Sequence, residues 1–488
     1  MSRVRSVFLL GLVLVAAIGC QSPVARIAHR PMPAAGANRP GNDPVDVSRR
    51  PSLAASHIRP VSHAEPASQT TEDSARRSSW EGVGELSLDR LIAEVQAAHP
   101  SVESMTAAWQ AAAYRYPQVV ALEDPMFATT IAPASLGSRD VESAYALEVS
   151  QKLSWSGKRA LRGAAAQWEA SSAAHDVETT RQKLAEVAEL AFWDYYVARR
   201  QIDLNSQNTL ILKSNRQNAQ SRYENGLVTQ QDVLQADVEL ANLEQRRIEL
   251  DRMEQVASGR INVLLRRRPN EALPPLPNSR LREVQIPDED VLLSLVMEQR
   301  PEIAAAASRV QAEEAKLALT HKNYYPDGDF IGRYDTFWQP RETQSDLRGQ
   351  VGVKVNVPLY YDRLNAAVCE AQQQVAKARA EHDQLVLETQ AEVQAVFEQV
   401  RESERTTKLY SQKLLPTVEE NVAVARSNYD TSRINFLDLA LAQRQLIEAR
   451  DRQLQTQVEL QRRLATLRRA AGGSLPESRP PVNFTTPR

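Results

Sequence analysis

The chain has 488 residues, and its 59 Lys and Arg and 61 Asp and Glu cancel to a formal net charge of -2, which leaves no extreme charge to argue for a nucleic-acid partner. Only two cysteines occur, Cys20 and Cys369, the first in an apparent targeting segment, so neither a disulfide framework nor a Cys-rich metal site is available. Aromatics make up 6%, and long runs of Ala, Gln, Glu, Leu and Arg carry most of the length, the composition of extended helices.

Arg3 and Arg5 precede an apolar run from Val7 to Ile18. That run is too short to span a bilayer of about 30 Å as a helix but suits the h-region of a secretory signal. It ends Ala17-Ile18-Gly19-Cys20, which resembles a bacterial lipobox with Ala17 where leucine is usual. By that resemblance residues 1–20 are a lipoprotein signal and Cys20 is the lipidated mature N-terminus; the alternative is an ordinary cleaved signal with an incidental cysteine. Gln21 and Ser22 lack the aspartate that retains lipoproteins at the inner membrane, so the outer membrane is the expected destination. Residues 21–83 are rich in Pro, Ala, Ser and Arg without apolar periodicity and are expected to form a disordered periplasmic tether, because they bury too little surface to offset ordering.

Beyond the tether the chain repeats itself. Leu91-Ile92 with His99-Pro100 echoes Leu292-Leu293 with Arg300-Pro301. A strand ending at Leu153 echoes one ending at Leu359, 206 residues on. Tyr223-Glu224-Asn225-Gly226, followed by Asp232-Val233-Leu234-Gln235-Ala236, echoes Tyr429-Asp430-Thr431-Ser432, followed by Asp438-Leu439-Ala440-Leu441-Ala442, at the same separation. The halves are residues 84–268 and 288–473, joined by a Pro-rich linker, 269–287, and followed by a disordered tail, 474–488.

Each half is expected to hold a short helix, a strand pair and two very long helices. From Lys158 to Arg222 there is no proline and one glycine, Gly163, so the helix there is about 100 Å long. After the turn at Gly226, Val233, Ala236, Leu240, Leu243, Leu250, Ala257, Ile261 and Leu264 follow a coiled-coil spacing that Arg247 and Glu254 interrupt. In the second half the helix starts near Leu364, is kinked or interrupted at Pro416, resumes to Asp430, and returns from about Leu437 to Ala470.

In the strands, Tyr145, Leu147, Val149 and Leu153, and Val351, Val353, Val355, Val357 and Leu359, alternate with polar or charged residues. Their partners are Met126–Ile131 and Phe330–Trp338, joined to them through loops 132–143 and 340–348. A half-buried soluble sheet explains the alternation too, but nothing else at that end of the chain covers the valines. Trp155, Phe330, Trp338, Tyr360 and Tyr361 near strand ends suit the aromatic girdles of a membrane barrel. Four strands cannot close alone, so an oligomer is expected to complete the barrel.

In the order and spacing of these features, with the Leu415-Pro416 element and the Pro-Leu-Pro linker, the chain resembles the outer-membrane efflux protein family, the TolC-like channels, over residues 86–473. The fold class this implies is mainly α with a β-barrel: a trimer whose 12-stranded transmembrane barrel, four strands per chain, continues into a long helical barrel in the periplasm. The implied function is that of a passive efflux conduit, opened at its periplasmic end by an adaptor bound to an inner-membrane pump. By the same resemblance Tyr223, Gly226 and Leu227, and Tyr429, Ser432 and Arg433, form the tip that meets the adaptor, with Ser432 in place of the usual glycine. Asp232 and Asp438 are gate candidates, against the simpler role of favouring the start of a helix through its dipole. The rival class is a lipid-tethered periplasmic coiled-coil adaptor or scaffold.

No Gly-x-Ser-x-Gly, phosphate-binding glycine loop or His-Glu-x-x-His occurs, and His99, His175, His321 and His382 are isolated. No catalytic residue, metal site or cofactor is therefore expected.

Overall fold

The computed structural model describes residues 84–131, 145–277, 286, 288–336, 348–431 and 433–473. The signal with Cys20, the tether, the tail, Trp338, residues 132–144 and 337–347 between the paired strands, and residues 278–285 and 287 of the Pro-rich linker lie outside the described residues.

Three helices open the described chain: α1 (Leu88–Ala98), α2 (Pro100–Ala113) and α3 (Arg115–Val120). His99 separates the first two, and its Nδ1 accepts from the Ser101 amide at 3.2 Å, capping α2. β1 (Met126–Ile131) and β2 (Tyr145–Leu153) follow, then α4 (Lys158–Glu224) and α5 (Gln230–Leu264). α4 runs unbroken for 67 residues, about 100 Å. Gly163 is where α3 crosses it, since a Cβ there would meet Val120 Cγ2 at 2.7 Å.

The second set comprises α6 (Glu289–Gln299), α7 (Pro301–Lys322), β3 (Asp327–Thr336), β4 (Arg348–Asn356), α8 (Tyr361–Leu409), a π-helical turn (Tyr410–Leu414), α9 (Leu415–Asp430) and α10 (Phe436–Ala470). β4 stops at Asn356 rather than Leu359, ahead of Pro358, which has no amide to donate to a ladder. β3 begins three residues before the expected Phe330, and Phe330 lies within the strand opposite Val353, not at its end. The expected break near Pro416 takes the form of the π-helical turn that precedes it.

Helix packing follows the apolar seam. Val233, Ala236, Leu243, Leu250, Ala257 and Ile261 are buried along α5. Where Arg247 and Glu254 interrupt that seam, Arg247 donates to Ser206 Oγ at 3.1 Å and Arg199 donates to Glu254 at 3.0 Å, both across to α4. Phe192, Trp193, Tyr195 and Tyr196 of α4 anchor one core with Leu91, Val95 and Ile261. A second core joins Leu292 and Val296 to Val393, Phe397, Val400, Leu464 and Leu467.

Beside these cores charged groups tie four helices together. Arg300 is buried and donates to Glu302 at 2.9 Å and to Glu392 at 2.6 Å. Arg469 reaches Glu392 at 2.5 Å and Glu186 at 2.6 Å, Lys183 pairs with Glu302 at 2.9 Å, and Arg468 pairs with Glu189. Burial opposes ionisation of Glu392 and Glu302. The hydrogen bonds from Arg300 and Arg469 to Glu392, and from Lys183 and Arg300 to Glu302, outweigh it and hold both carboxyls below the usual range. At Glu189 burial prevails over Arg468 and raises the carboxyl's pKa.

The four strands make one antiparallel sheet in the order β1-β2-β3-β4. The two expected hairpins are therefore joined edge to edge through β2 and β3, with Leu147 opposite Tyr334 and Lys152 opposite Asp329.

Candidate functional site

Two regions carry the features that bear on function: the sheet and the pair of turns at the far end of the long helices.

On the sheet, the register places Phe127, Leu147, Val149, Phe330, Val351, Val353 and Val355 on one face. All are exposed, Val351 to 90%. Contiguous apolar surface of this kind on a folded chain marks a membrane or protein contact. The other face is charged, and its charges alternate across the strands: Lys152 opposite Asp329 opposite Lys354, and Glu148 opposite Arg333 opposite Gln350. Cross-strand neighbours of opposite sign stabilise the pairing and fix its register.

Where the sheet meets the helices, Lys158 is buried. Its ammonium lies 2.9 Å from Asp327 Oδ1 and donates to the Tyr325 carbonyl at 3.0 Å, while the Trp155 amide donates to the same carboxylate at 2.8 Å. Trp155 stacks on Tyr325 at 5.6 Å between centroids, and Tyr324 on Tyr361 at 6.4 Å. Aromatics thus gather at the helical end of the sheet, with Lys158 and Asp327 pinning the start of α4 to the start of β3. Sequence inspection missed that pair because its members are far apart in the chain and neither belongs to a motif.

At the opposite end, α4 closes in a Schellman turn: the Gly226 amide donates to Tyr223 O at 2.9 Å and the Leu227 amide to Arg222 O at 2.9 Å. Gly226 has φ +71°, the left-handed conformation that this turn demands and that glycine adopts without strain. The second turn shows the same six-to-one bond, from the Arg433 amide to Asn428 O at 2.8 Å. Ser432, between them, lies outside the described residues.

The turns are held together from within. Tyr429 is buried, its ring edge-on to Phe436 at 5.8 Å, in a cluster with Ala219, Val233, Ala236 and Leu439. The Arg222 guanidinium lies 4.5 Å from the Tyr429 ring centroid and donates to its carbonyl at 2.9 Å. Tyr223, Leu227 and Arg433 are exposed. Of the six predicted tip residues, then, the structure leaves these three on the surface, makes Tyr429 part of the packing beneath them, and gives Gly226 the bend itself.

The two aspartates differ. Asp232 is half-buried behind the first turn; burial raises its pKa, against the Thr229 hydrogen bond and the nearby Arg222 charge. Asp438 is exposed in the first turn of α10, and its amide donates to the Asn435 cap at 2.9 Å. Among the described residues no helix is long and apolar enough to cross a membrane, and no cluster of His, Cys, Asp and Glu is arranged to hold a metal ion.

A four-stranded sheet with one bare apolar face, continued by helices of this length and paired turns at their far end, is the fold of a TolC-like outer-membrane channel. Residues 292–473 match the family described as outer membrane efflux protein. Over 267 residues it is 23% identical to the cobalt-zinc-cadmium resistance protein CzcC of Cupriavidus metallidurans, a match covering 54% of this chain and 62% of that relative's length. Its fold is similar to that of the outer-membrane channel OprN, with TM-score 0.65 and 21% identity over 79% of this chain and 90% of the other. It is also similar to CusC, with TM-score 0.68 and 16% identity over 79% and 92%.

Proposed function

We propose that this protein is the outer-membrane channel of a tripartite efflux system: a passive trimeric conduit that an adaptor opens at its periplasmic end and an inner-membrane pump energises. The observation that carries this reading is the exposed apolar face of the sheet. Valines on a bare surface are stable only against lipid or protein, and a sheet with charged residues on its other face suits a barrel whose interior is wet. β1 and β4 are the free edges of the sheet among the described residues, and closing three copies edge to edge makes a 12-stranded barrel. The two halves, 84–268 and 288–473, are read as a duplication, and Cys20 as the lipid anchor that holds the mature chain at the outer membrane.

Tyr223, Leu227 and Arg433 then face the adaptor, with Gly226, Tyr429 and Ser432 shaping the turns that present them. Asp438, exposed, is the better placed gate residue, while Asp232 braces the first turn. The name of CzcC makes divalent cobalt, zinc and cadmium the first substrates to test. The adaptor or scaffold reading is disfavoured, since it leaves the apolar face uncovered.

The test is native mass spectrometry of the detergent-extracted membrane fraction, with the N-terminal peptide examined for acyl chains, followed by conductance in planar bilayers. Acylated trimers that conduct are expected. A soluble monomer would overturn the channel and favour the scaffold.

A further inference from the structure

The bare face of the sheet does not end with the strands. Past Asn356 the exposed apolar surface continues through Val357, Leu359 and Tyr360 to Tyr361 at the start of α8. At the junction of α7 with β3, two tyrosines adjacent in the chain enter two separate ring stacks, Tyr325 with Trp155 and Tyr324 with Tyr361. Trp155, Tyr325 and Tyr361 are exposed and Tyr324 is half-buried. The apolar face thus runs into a platform of four rings.

Cations are interleaved with the rings. Lys322 Nζ lies 5.2 Å from the Tyr325 ring centroid, and Lys322 Cε stands beside Gly157, in the turn that carries Trp155. Arg159 in the first turn of α4 and Arg363 in the first turn of α8 are exposed. None of these three pairs with a carboxylate among the described residues. The segments that carry the rings, 154–162, 320–327 and 360–365, hold Lys158, Arg159, Arg162, Lys322 and Arg363 against Asp327 and Asp362. Asp327 is already engaged by Lys158, so the excess positive charge is left at the surface.

Like charges gathered in this way repel, and an anion brought among them offsets the repulsion. Rings with apolar bodies and polar tips collect where hydrocarbon gives way to headgroups, and guanidinium and ammonium groups at that depth meet phosphate. A zwitterionic headgroup brings its own cation and cancels much of that attraction, whereas an anionic one keeps it.

We infer that the helical end of the sheet is a binding surface for anionic phospholipid headgroups. Arg159, Lys322 and Arg363 hold the phosphate, and Trp155, Tyr325, Tyr360 and Tyr361 lie at its boundary with the acyl chains. This rests on the channel reading, since the rings meet lipid only if the apolar face does. Continuity with that face and the excess of cations select an anionic lipid as the occupant.

The experiment is tryptophan fluorescence of the full-length protein in phosphatidylcholine vesicles, with trimers verified by native mass spectrometry. Phospholipids brominated on their acyl chains quench a ring they touch, and subtracting the signal of Trp155→Phe isolates Trp155 from the other tryptophans. At equal mole fraction, brominated phosphatidylglycerol is expected to quench Trp155 several-fold more than brominated phosphatidylcholine. Replacing Arg159, Lys322 and Arg363 together by Gln should remove that difference, while Arg159→Lys with Arg363→Lys should keep it. Arg363→Gln alone, with a partial loss, carries the test if the triple variant does not assemble. Equal quenching by the two lipids, or a preference that survives the triple replacement, overturns the proposal. So does a preference erased by millimolar inorganic phosphate, which would give the cations to free phosphate. Trimers in which neither lipid quenches Trp155 also overturn it, giving the surface to a neighbouring subunit. An unaltered protein that is monomeric would instead overturn the channel reading.

Discussion

Arg222 of α4 and Tyr429 of α9, one from each half of the chain, meet directly: the guanidinium carbon lies over the ring, 4.5 Å from its centroid, and the guanidinium donates to the tyrosine's own carbonyl at 2.9 Å. A cation–π contact combined with a charge-assisted hydrogen bond favours a delocalised, multiply donating cation. Arg222→Lys is therefore expected to loosen the second turn almost as much as Arg222→Ala, by about 1–2 kcal/mol locally. Hydrogen exchange of the amides of residues 425–436 should quicken in both variants, with the amides around Val393 unaffected.

At Gly226 the penalty for substitution comes from the backbone alone, since a Cβ there meets nothing within 4 Å. Gly226→Val should cost about 1–2 kcal/mol at the turn, and Gly226→Asn much less, because asparagine tolerates the left-handed region. Efflux is expected to follow that order while trimers still assemble. Normal efflux by the valine variant would remove this turn from the docking tip.

Removing Arg300 leaves Glu392 to Arg469 alone and Glu302 to Lys183 alone, and Arg300→Ala should cost about 1–2 kcal/mol. The pH dependence has a definite sign. Both carboxyls have folded-state pKa values below their usual 4.5. Their contribution is therefore full above pH 4.5 and is lost as the pH falls through the folded values. Glu392→Gln should melt below the unaltered protein at pH 7, and the gap should close as acid is added below 4.5.

Asp438→Ala is expected to raise single-channel conductance, since Asp438 is exposed, whereas Asp232→Ala should act on the stability of the first turn. Equal conductance of Asp438→Ala and the unaltered protein would leave Asp438 only its place at the start of α10.

The two faces of the sheet predict opposite tolerances. Val353→Lys, on the apolar face, should cost about 2–4 kcal/mol of membrane stability if it lies near the bilayer midplane. Lys354→Gln, one residue along and on the other face, should assemble normally. Trimer recovery from outer membranes compares them directly.

Alternation in β2 and β4, the proline-free run of α4 and the glycine turn were legible because each is written in residues close together in the chain. The π-helical turn was legible only as a break at Pro416, since sequence shows the missing donor but not how the backbone absorbs it. Arg222 with Tyr429, Lys158 with Asp327, and the charges around Arg300 were invisible: each joins residues distant in sequence, and isolated Arg, Lys and Glu on long helices read as solvated. Tyr223 and Tyr429 looked equivalent by spacing, and only the packing of Phe436 separates an exposed ring from a buried one.

The pairing of β2 with β3 bears on how a closed ring comes together. Six hairpins arranged in a circle have six seams, and in three of them the neighbours belong to one chain and find each other as that chain folds. Bringing three chains together then takes only two encounters between separate molecules, each with its loss of translational and rotational freedom of about 4 kcal/mol or more, and the last seam closes within the assembled ring. Six separate hairpins would need five such encounters, so joining them in pairs within each chain removes three.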